Sequence, residues 1–355
     1  MNPSRRAHLK QLVGTTLAVN AAFFTRLESR LNACERDIDQ EEKGFEAEFP
    51  SMGSKINLRW YSSATSQDEV IKAATGIADL WIDVLSDYEP TSQAMVACAK
   101  ADSGDWVQVS NELWSVLQHC EQWNRWSEGA FDAALGAITR IRWQRKPAPP
   151  ELWAKARLKS GWKLLELDHP HQAMRFLTPG VRLDFGAIGK GIVVDRIAEK
   201  LEEMGIEKYV VNASGNMRMG NAPNGTAGWP IAIDIPATLP NETSIEFLRS
   251  RFSNGGIATS GDRWQRFPDA NAKGSDERTS HIVEPTTAKG LSGHQSVTIM
   301  AGNATDADAA ATATCVRARR DLAGWLQTLS ERKPNLHAIV MLKDSDTDPM
   351  RFVST

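Results

Sequence analysis

The chain has 355 residues, 41% hydrophobic and 24% charged, so it can bury a sizeable core and is no minimal module. A formal net charge of -3 gives no basic excess to neutralise a phosphate backbone, which argues against nucleic acid as a partner. No stretch reaches the roughly 20 apolar residues that a spanning helix needs; the longest candidate, residues 12–24, is interrupted by Gly14, Thr15, Thr16 and Asn20.

Residues 4–10 read Ser-Arg-Arg-Ala-His-Leu-Lys ahead of that weakly apolar stretch, a pattern similar to a twin-arginine export signal with His8 where Phe is usual. The expectation is a periplasmic or otherwise exported protein; the alternative is a basic, frayed helix start. Leu31-Asn32-Ala33-Cys34 is a poor lipobox, which leaves open an inner-membrane lipoprotein anchored at Cys34, a simple tether, or another cleavage point. Residues 1–44 are therefore read as export signal or N-terminal tether, and 45–355 as one domain of two lobes. Cys34, Cys98, Cys120 and Cys315 show neither zinc-ligand spacing nor a disulfide framework, and the last three read as packed thiols.

Residues 45–62 alternate apolar and polar side chains, as one or two strands do. Ser66 to Glu69 form a capping box, and Val70, Ala74, Ile77, Trp81 and Val84 then recur at helical spacing. Residues 113–126 carry a second amphipathic stripe, whose Trp content suits a core better than a cofactor box. Pro147-Ala148-Pro149-Pro150 and a charged helix over 151–158 read as a surface excursion. The pattern then predicts a short strand over 181–185, a helix over 190–204 closed by Gly205, and strands over 209–213, 229–235 and 337–342. A long Ala-rich helix is expected from Asp308 to about Leu329. No internal repeat is present, and the fold class is α+β.

The most informative stretch runs from Leu183 to Asp195, LDFGAIGKGIVVD. A strand entering a turn with three glycines and then a helix is how a chain brings backbone amides and a positive helix end to an anion. It is neither a P-loop nor a G-x-G-x-x-G fingerprint, so phosphate binding and a tight structural turn both remain open at this point.

LDFGAIGKGIVVDR, VVNASGN, ATSGDRWQRF, SHIVEP and DADAAATA, with SMGS, LSDYEPTS and GAFDAALG before them, occur in an order and at spacings similar to those of the ApbE family of flavin transferases. They span residues 51 to about 315. The resemblance implies a single catalytic domain with a mixed or antiparallel sheet and flanking helices, and an activity that splits FAD, attaches FMN to a Ser or Thr hydroxyl of an acceptor flavoprotein subunit, and releases AMP. It further implies FAD contacts from Met52, Tyr88, Ala130, Phe131, Asp132, Asp184, Lys190, Thr259, Ser260, Gly261 and Ile282. A Mg²⁺ site would use the Ala187 carbonyl with Asp308 and Thr312, and His281 would be the catalytic histidine. A non-catalytic FAD-binding or flavin-donating accessory protein and an FAD pyrophosphatase are the alternatives.

The residues have plain readings too. Asp308 and Thr312, four apart on a helix, share one side and can hold a hard cation through oxygen, yet Thr305 to Asp308 also match a capping box. Lys190 is either a phosphate contact or a solvated helix-start cation; Tyr88 suits a core, Asp132 and Asp184 suit caps, and a lone His281 suits a structural role. Three positions depart from the family pattern: Ser214-Gly215-Asn216 replaces Gly-Gly-Asp, Glu284 replaces Asp before Pro285, and Ala288-Lys289 stands where Gly commonly ends the turn.

Overall fold

The computed structural model describes residues 44–61, 65–144, 148–235, 246–262, 266–268, 278–344, 348 and 350–355. Strands β1 (Gly44–Ser51) and β2 (Ser54–Tyr61) lead to helices α1 (Gln67–Leu85) and α2 (Gln93–Ala101), strand β3 (Val107–Gln108), and helices α3 (Asn111–Trp126), α4 (Gly136–Trp143) and α5 (Pro150–Arg157). Then come β4 (Leu165–Asp168), β5 (Ala173–Phe176), α6 (Gly189–Glu203), β6 (Lys208–Ala213), β7 (Asn216–Met219), β8 (Trp229–Ile235) and β9 (Glu246–Phe252). The last third holds β10 (Gly255–Gly261), β11 (Arg266–Pro268), β12 (Arg278–Ser280), β13 (Val283–Glu284), β14 (Lys289–Gly290), β15 (His294–Ala301), α7 (Ala304–Arg317), α8 (Leu322–Arg332), β16 (His337–Lys343) and β17 (Arg351–Ser354).

Eight strands form one sheet in the order β1-β2-β6-β7-β10-β15-β16-β17, antiparallel throughout. Successive side chains on a strand face opposite ways, so each strand feeds two layers. Tyr209, Val211, Ala258, Val297, Ile299, Ala338 and Val340 join the main core with α1, α3, α6 and α7. Met219, Ile257, Ile339 and Met341 face the other way, beneath Trp229, Ile231, Ile233 and Leu248 of the β8–β9 hairpin.

Helix α1 starts at the expected capping box: Ser66 accepts from the Glu69 N–H, and the Glu69 carboxylate accepts from the Ser66 N–H. Its buried stripe is Val70, Ala74, Ala78, Trp81, Val84 and Leu85, with Ile77 only partly covered. Helix α7 is enclosed nearly all round; Ala304, Ala307, Ala309, Ala310, Ala311 and Ala313 are buried, and so are Thr305, Asp306, Asp308 and Thr314. Small residues on its neighbours make this possible. A Cβ on Gly191 of α6 would lie 2.4 Å from the Ala304 carbonyl oxygen, and one on Gly256 of β10 would lie 2.2 Å from the Ala304 nitrogen.

Two expectations change. The Ala-rich helix begins at Ala304, capped by Asn303 rather than at Asp308, and a turn after Arg317 divides it from α8, whose cap is Asp321. Residues 181–185 are extended but join no strand, since Gly136 N donates to Arg182 O (3.0 Å) and Asp184 N to Ala133 O (2.8 Å), a loop-to-loop pairing. As the alternation over 45–62 suggests, residues 44–61 form two strands, a hairpin closed by Met52 and Gly53, both at positive φ, as a two-residue turn requires. Cys98, Cys120 and Cys315 are free and buried, and burial pushes their thiols up, as expected of inert packed residues. No helix among the described residues is long and apolar enough to cross a membrane. The export and lipidation readings, with His8 and Cys34, lie outside the described residues.

Candidate functional site

The glycine turn sits where Phe185 enters α6. None of Gly186, Gly189 and Gly191 has positive φ, so the turn does not use glycine's conformational freedom. Gly186 N donates to Asp184 Oδ1 (2.8 Å), Ile188 N and Gly189 N to Phe185 O (3.1 and 2.7 Å), and Gly191 N to Asp308 Oδ2 (3.0 Å). The N–H groups of Ala187 and Lys190 have no partner among the described residues, and these are the donors left for an anion. Met52 and Leu85 flank the turn; a Cβ at Gly189 would meet Leu85 Cδ1 at 3.6 Å and Met52 Cε at 3.8 Å.

Asp308 is buried in the second turn of α7, facing the start of α6. Burial raises its pKa, against the Lys190 ammonium and the Gly191 N–H, which favour the carboxylate. Oδ1 receives no hydrogen bond from the described residues. One helical turn on, Thr312 Oγ1 lies 3.2 Å from Ser260 Oγ at the end of β10, and Thr259 Oγ1 lies 2.8 Å from Thr298 Oγ1. Gly261 completes this strand end where a Cβ would be 2.6 Å from Gln295 O. No group of three or more His, Cys, Asp or Glu among the described residues could hold a metal. The donors available beside α6 are a carboxylate, a hydroxyl and the Ala187 carbonyl, an all-oxygen set that suits a hard cation.

The loop before α4 is braced from within. Asp132 accepts from Ala134 N through Oδ1 and from Trp162 N through Oδ2, both at 2.8 Å, and burial lifts it to about 6 despite those bonds. Ala130 and Phe131 are buried in the main core, with Phe131 N bonded to Ser127 Oγ (2.8 Å). The side chains of 130–132 therefore shape the loop. Beside it, Tyr88 is 67% exposed. Burial and then the Asp184 carboxylate raise Asp87 to about 6, partly offset by Arg140 of α4, so Asp87, Asp184 and Arg140 share one electrostatic neighbourhood.

His281 lies between β12 and β13, half-buried, with its ring centroid 6.4 Å from that of Trp143 at the end of α4. Ile282 is buried; its N–H donates to Ser280 Oγ (3.1 Å) and its carbonyl accepts from Leu291 N (3.0 Å). Glu284 reaches Arg320 and accepts from Thr286 Oγ1 (2.6 Å) and Thr287 N (2.7 Å). Burial works against its charge, but those hydrogen bonds outweigh it and hold Glu284 at about 2.

The other departures also have structural positions. Ser214 takes the left-handed conformation in the β6–β7 turn and bonds Ser54 across the β1–β2 hairpin. Asn216 is buried with Oδ1 unpartnered among the described residues. Ala288 stands at φ +56, a backbone position that favours glycine.

Sequence reasoning missed two side chains. Asp195, the last residue of the quoted glycine run, caps α7 from outside: it accepts from Ala304 N (2.9 Å), Thr305 N (2.8 Å) and Thr305 Oγ1 (2.6 Å). An aspartate at an inward helix position was the available signal. Arg142, buried at the foot of α4, looked like a surface cation in a basic stretch and carried none. A cavity of about 140 Å³ runs along α6 past His119, Arg196, Glu199 and Arg218; none of the candidate residues lines it.

A sequence model of the ApbE family matches residues 52–340. The chain is 25% identical over 317 residues to the FAD:protein FMN transferase of Haemophilus influenzae, covering 86% of each. It is 31% identical over 240 residues to that of Rhodobacter capsulatus, covering 66% of this chain and 43% of the relative. In fold it resembles the flavin transferase ApbE from Vibrio cholerae, with a TM-score of 0.75 at 21% identity over 88% of this chain and 97% of the other. With its motifs held on one framework of α6, α7 and the eight-stranded sheet, the chain belongs to the ApbE family.

Proposed function

We propose that the protein is a Mg²⁺-dependent FAD:protein FMN transferase that acts on a Ser or Thr hydroxyl of an acceptor flavoprotein. The observation that carries this reading is the junction of α6 and α7, where Lys190, two unpartnered backbone N–H groups and the open oxygen of Asp308 converge beside Thr312. That combination suits a diphosphate bridged to a hard cation. Asp308, Thr312 and the Ala187 carbonyl would hold Mg²⁺, which supplies charge neutralisation on the diphosphate and the leaving group. Lys190 and the amides of Ala187 and Lys190 would orient the phosphates, with Met52, Tyr88, Asp184 and the backbone of 130–132 lining the flavin dinucleotide cleft.

His281 would take the proton of the acceptor hydroxyl as its oxygen bonds to the FMN-side phosphorus. The bond from that phosphorus to the bridging oxygen breaks, and AMP departs with that oxygen. Thr259, Ser260, Gly261 and Ile282 form the adjoining wall. The twin-arginine-like start supports export to the periplasm, where the N-terminus would serve as tether.

The test is purified protein with FAD and Mg²⁺, analysed by mass with and without a Ser/Thr-bearing acceptor domain. A mass gain of FMN on the acceptor, with AMP released in equal amount, is expected, and His281→Gln should slow it by about 10² to 10⁴-fold. AMP without acceptor modification would make the protein a pyrophosphatase. FAD binding with no turnover would make it an accessory flavin carrier, the reading that Ser214 and Asn216 in place of Gly and Asp favour.

A further inference from the structure

We infer that Arg142 is the positioning residue that sets the His281 ring, an assignment that rests on the role proposed for His281. The residue is 7% exposed, and its guanidinium donates from Nη2 to Ser280 O at 2.5 Å and to Thr279 Oγ1 at 3.1 Å. The Ser280 carbonyl belongs to the peptide unit that leads into His281, so the bond fixes the plane from which the imidazole departs. The segment is closed on its other sides by Ser280 N to Leu291 O (2.8 Å), Leu291 N to Ile282 O (3.0 Å) and Ile282 N to Ser280 Oγ (3.1 Å). Arg142 is a side-chain tie from outside this local set, beside the ladder pairing of Ser280 with Arg266 of β11.

The surroundings are built around that tie. A Cβ on Gly290 would fall 2.3 Å from Arg142 Nη2, so glycine there makes room for the guanidinium. Phe267 lies under it, 5.9 Å from centroid to Cζ, and edge-on to Trp143, the residue beside His281. Burying a charge this deeply is costly unless its hydrogen bonds do something specific. Helix α4 also begins at Gly136, whose N–H bonds Arg182 O beside Asp184. Its eight residues, about 12 Å of rod, therefore join the loop on the dinucleotide side to the histidine segment.

The test uses the full chain labelled with ¹³C at the histidine rings, the His281 resonance being the one lost in His281→Gln. In the native protein and Arg142→Lys, which keeps a donor, that resonance should be single and sharp. In Arg142→Met, with similar length and no donor, it should split or broaden while the other histidines stay in place. FAD affinity by flavin fluorescence should change less than about twofold, and AMP release should fall about 10- to 100-fold in kcat with KM for FAD unchanged. Arg142→Gln, whose shorter side chain cannot reach Ser280 O, should reproduce the ring effect if Arg142→Met does not fold. An unmoved His281 resonance in a folded Arg142→Met overturns the assignment, as do equal shifts at every histidine. No AMP release from the native protein would instead sink the transferase reading, leaving the ring result to decide Arg142.

Discussion

Two regions of the site are held together in opposite ways. Where α6 crosses α7 and β10, side chains are withdrawn: Gly191, Gly256 and a row of alanines let backbones touch, and the polar groups present bond across the gap. Around His281 the segment is short, its strands are two or three residues long, and a long side chain from another element supplies the external restraint. The first arrangement is stiff because nothing can be added; the second is specific because one group can be removed. Under the proposed function, close backbone packing would suit a region that presents a fixed anion site, and a side-chain strut would suit a residue whose orientation matters.

Gly191→Ala breaks this contrast most severely. Its Cβ would meet the Ala304 carbonyl, a backbone atom of the central helix that cannot swing away, so a loss of about 1–3 kcal/mol is expected in urea unfolding, with weakened FAD binding. Asp195→Ala should cost about 1–2 kcal/mol, since it deprives the α7 N-terminus of an acceptor for two backbone amides while leaving the crossing uncrowded.

pH sharpens the comparison next. Asp87 sits at about 6 in the fold against 3.8 for an ordinary aspartate, so the folded state binds its proton more tightly. The stabilisation from that proton is complete below 3.8 and is lost as pH rises through about 6. Glu284 is the reverse: held at about 2 against 4.5, it stabilises above 4.5 and ceases to as pH falls through 2. Melting temperatures of the native protein and Asp87→Asn, followed from pH 4 to 7, should differ in slope between about 4 and 6, whereas Glu284→Gln should depart from the native slope only below about 5. The smallest effect is a gain: Ala288→Gly relieves a left-handed alanine in the turn after Glu284 and should stabilise by less than about 1 kcal/mol in the same unfolding assay.

Local rules were legible where local chemistry decides. The Ser66–Glu69 box, the α6 stop at Gly205 and the β6 and β16 alternations all fold as their patterns say. They fail where long-range bonds decide. Residues 181–185 have strand composition, but their partners are loop carbonyls and amides around Ala133 and Gly136, so no ladder forms. The Ala-rich helix reads as continuous because alanine is indifferent to its neighbours; Asp321, a cap in the middle of the pattern, was the available warning. Asp308 and the glycine turn, read from two separate motifs, do meet in the fold, through Gly191 N and Asp308 Oδ2. That Asp132 braces its own loop and that Gly191 serves a helix crossing depend on which segments meet, which spacing does not encode.

The sheet order has a practical outcome for handling the molecule. β1 and β17 occupy its two opposite rims, so the described chain starts and finishes on different flanks, separated by seven interstrand gaps of about 4.8 Å, or roughly 34 Å. A purification tag on the carboxyl end would thus leave from the rim opposite Gly44. Joining the two ends into a circular permutant would call for a bridge of no fewer than about ten extended residues.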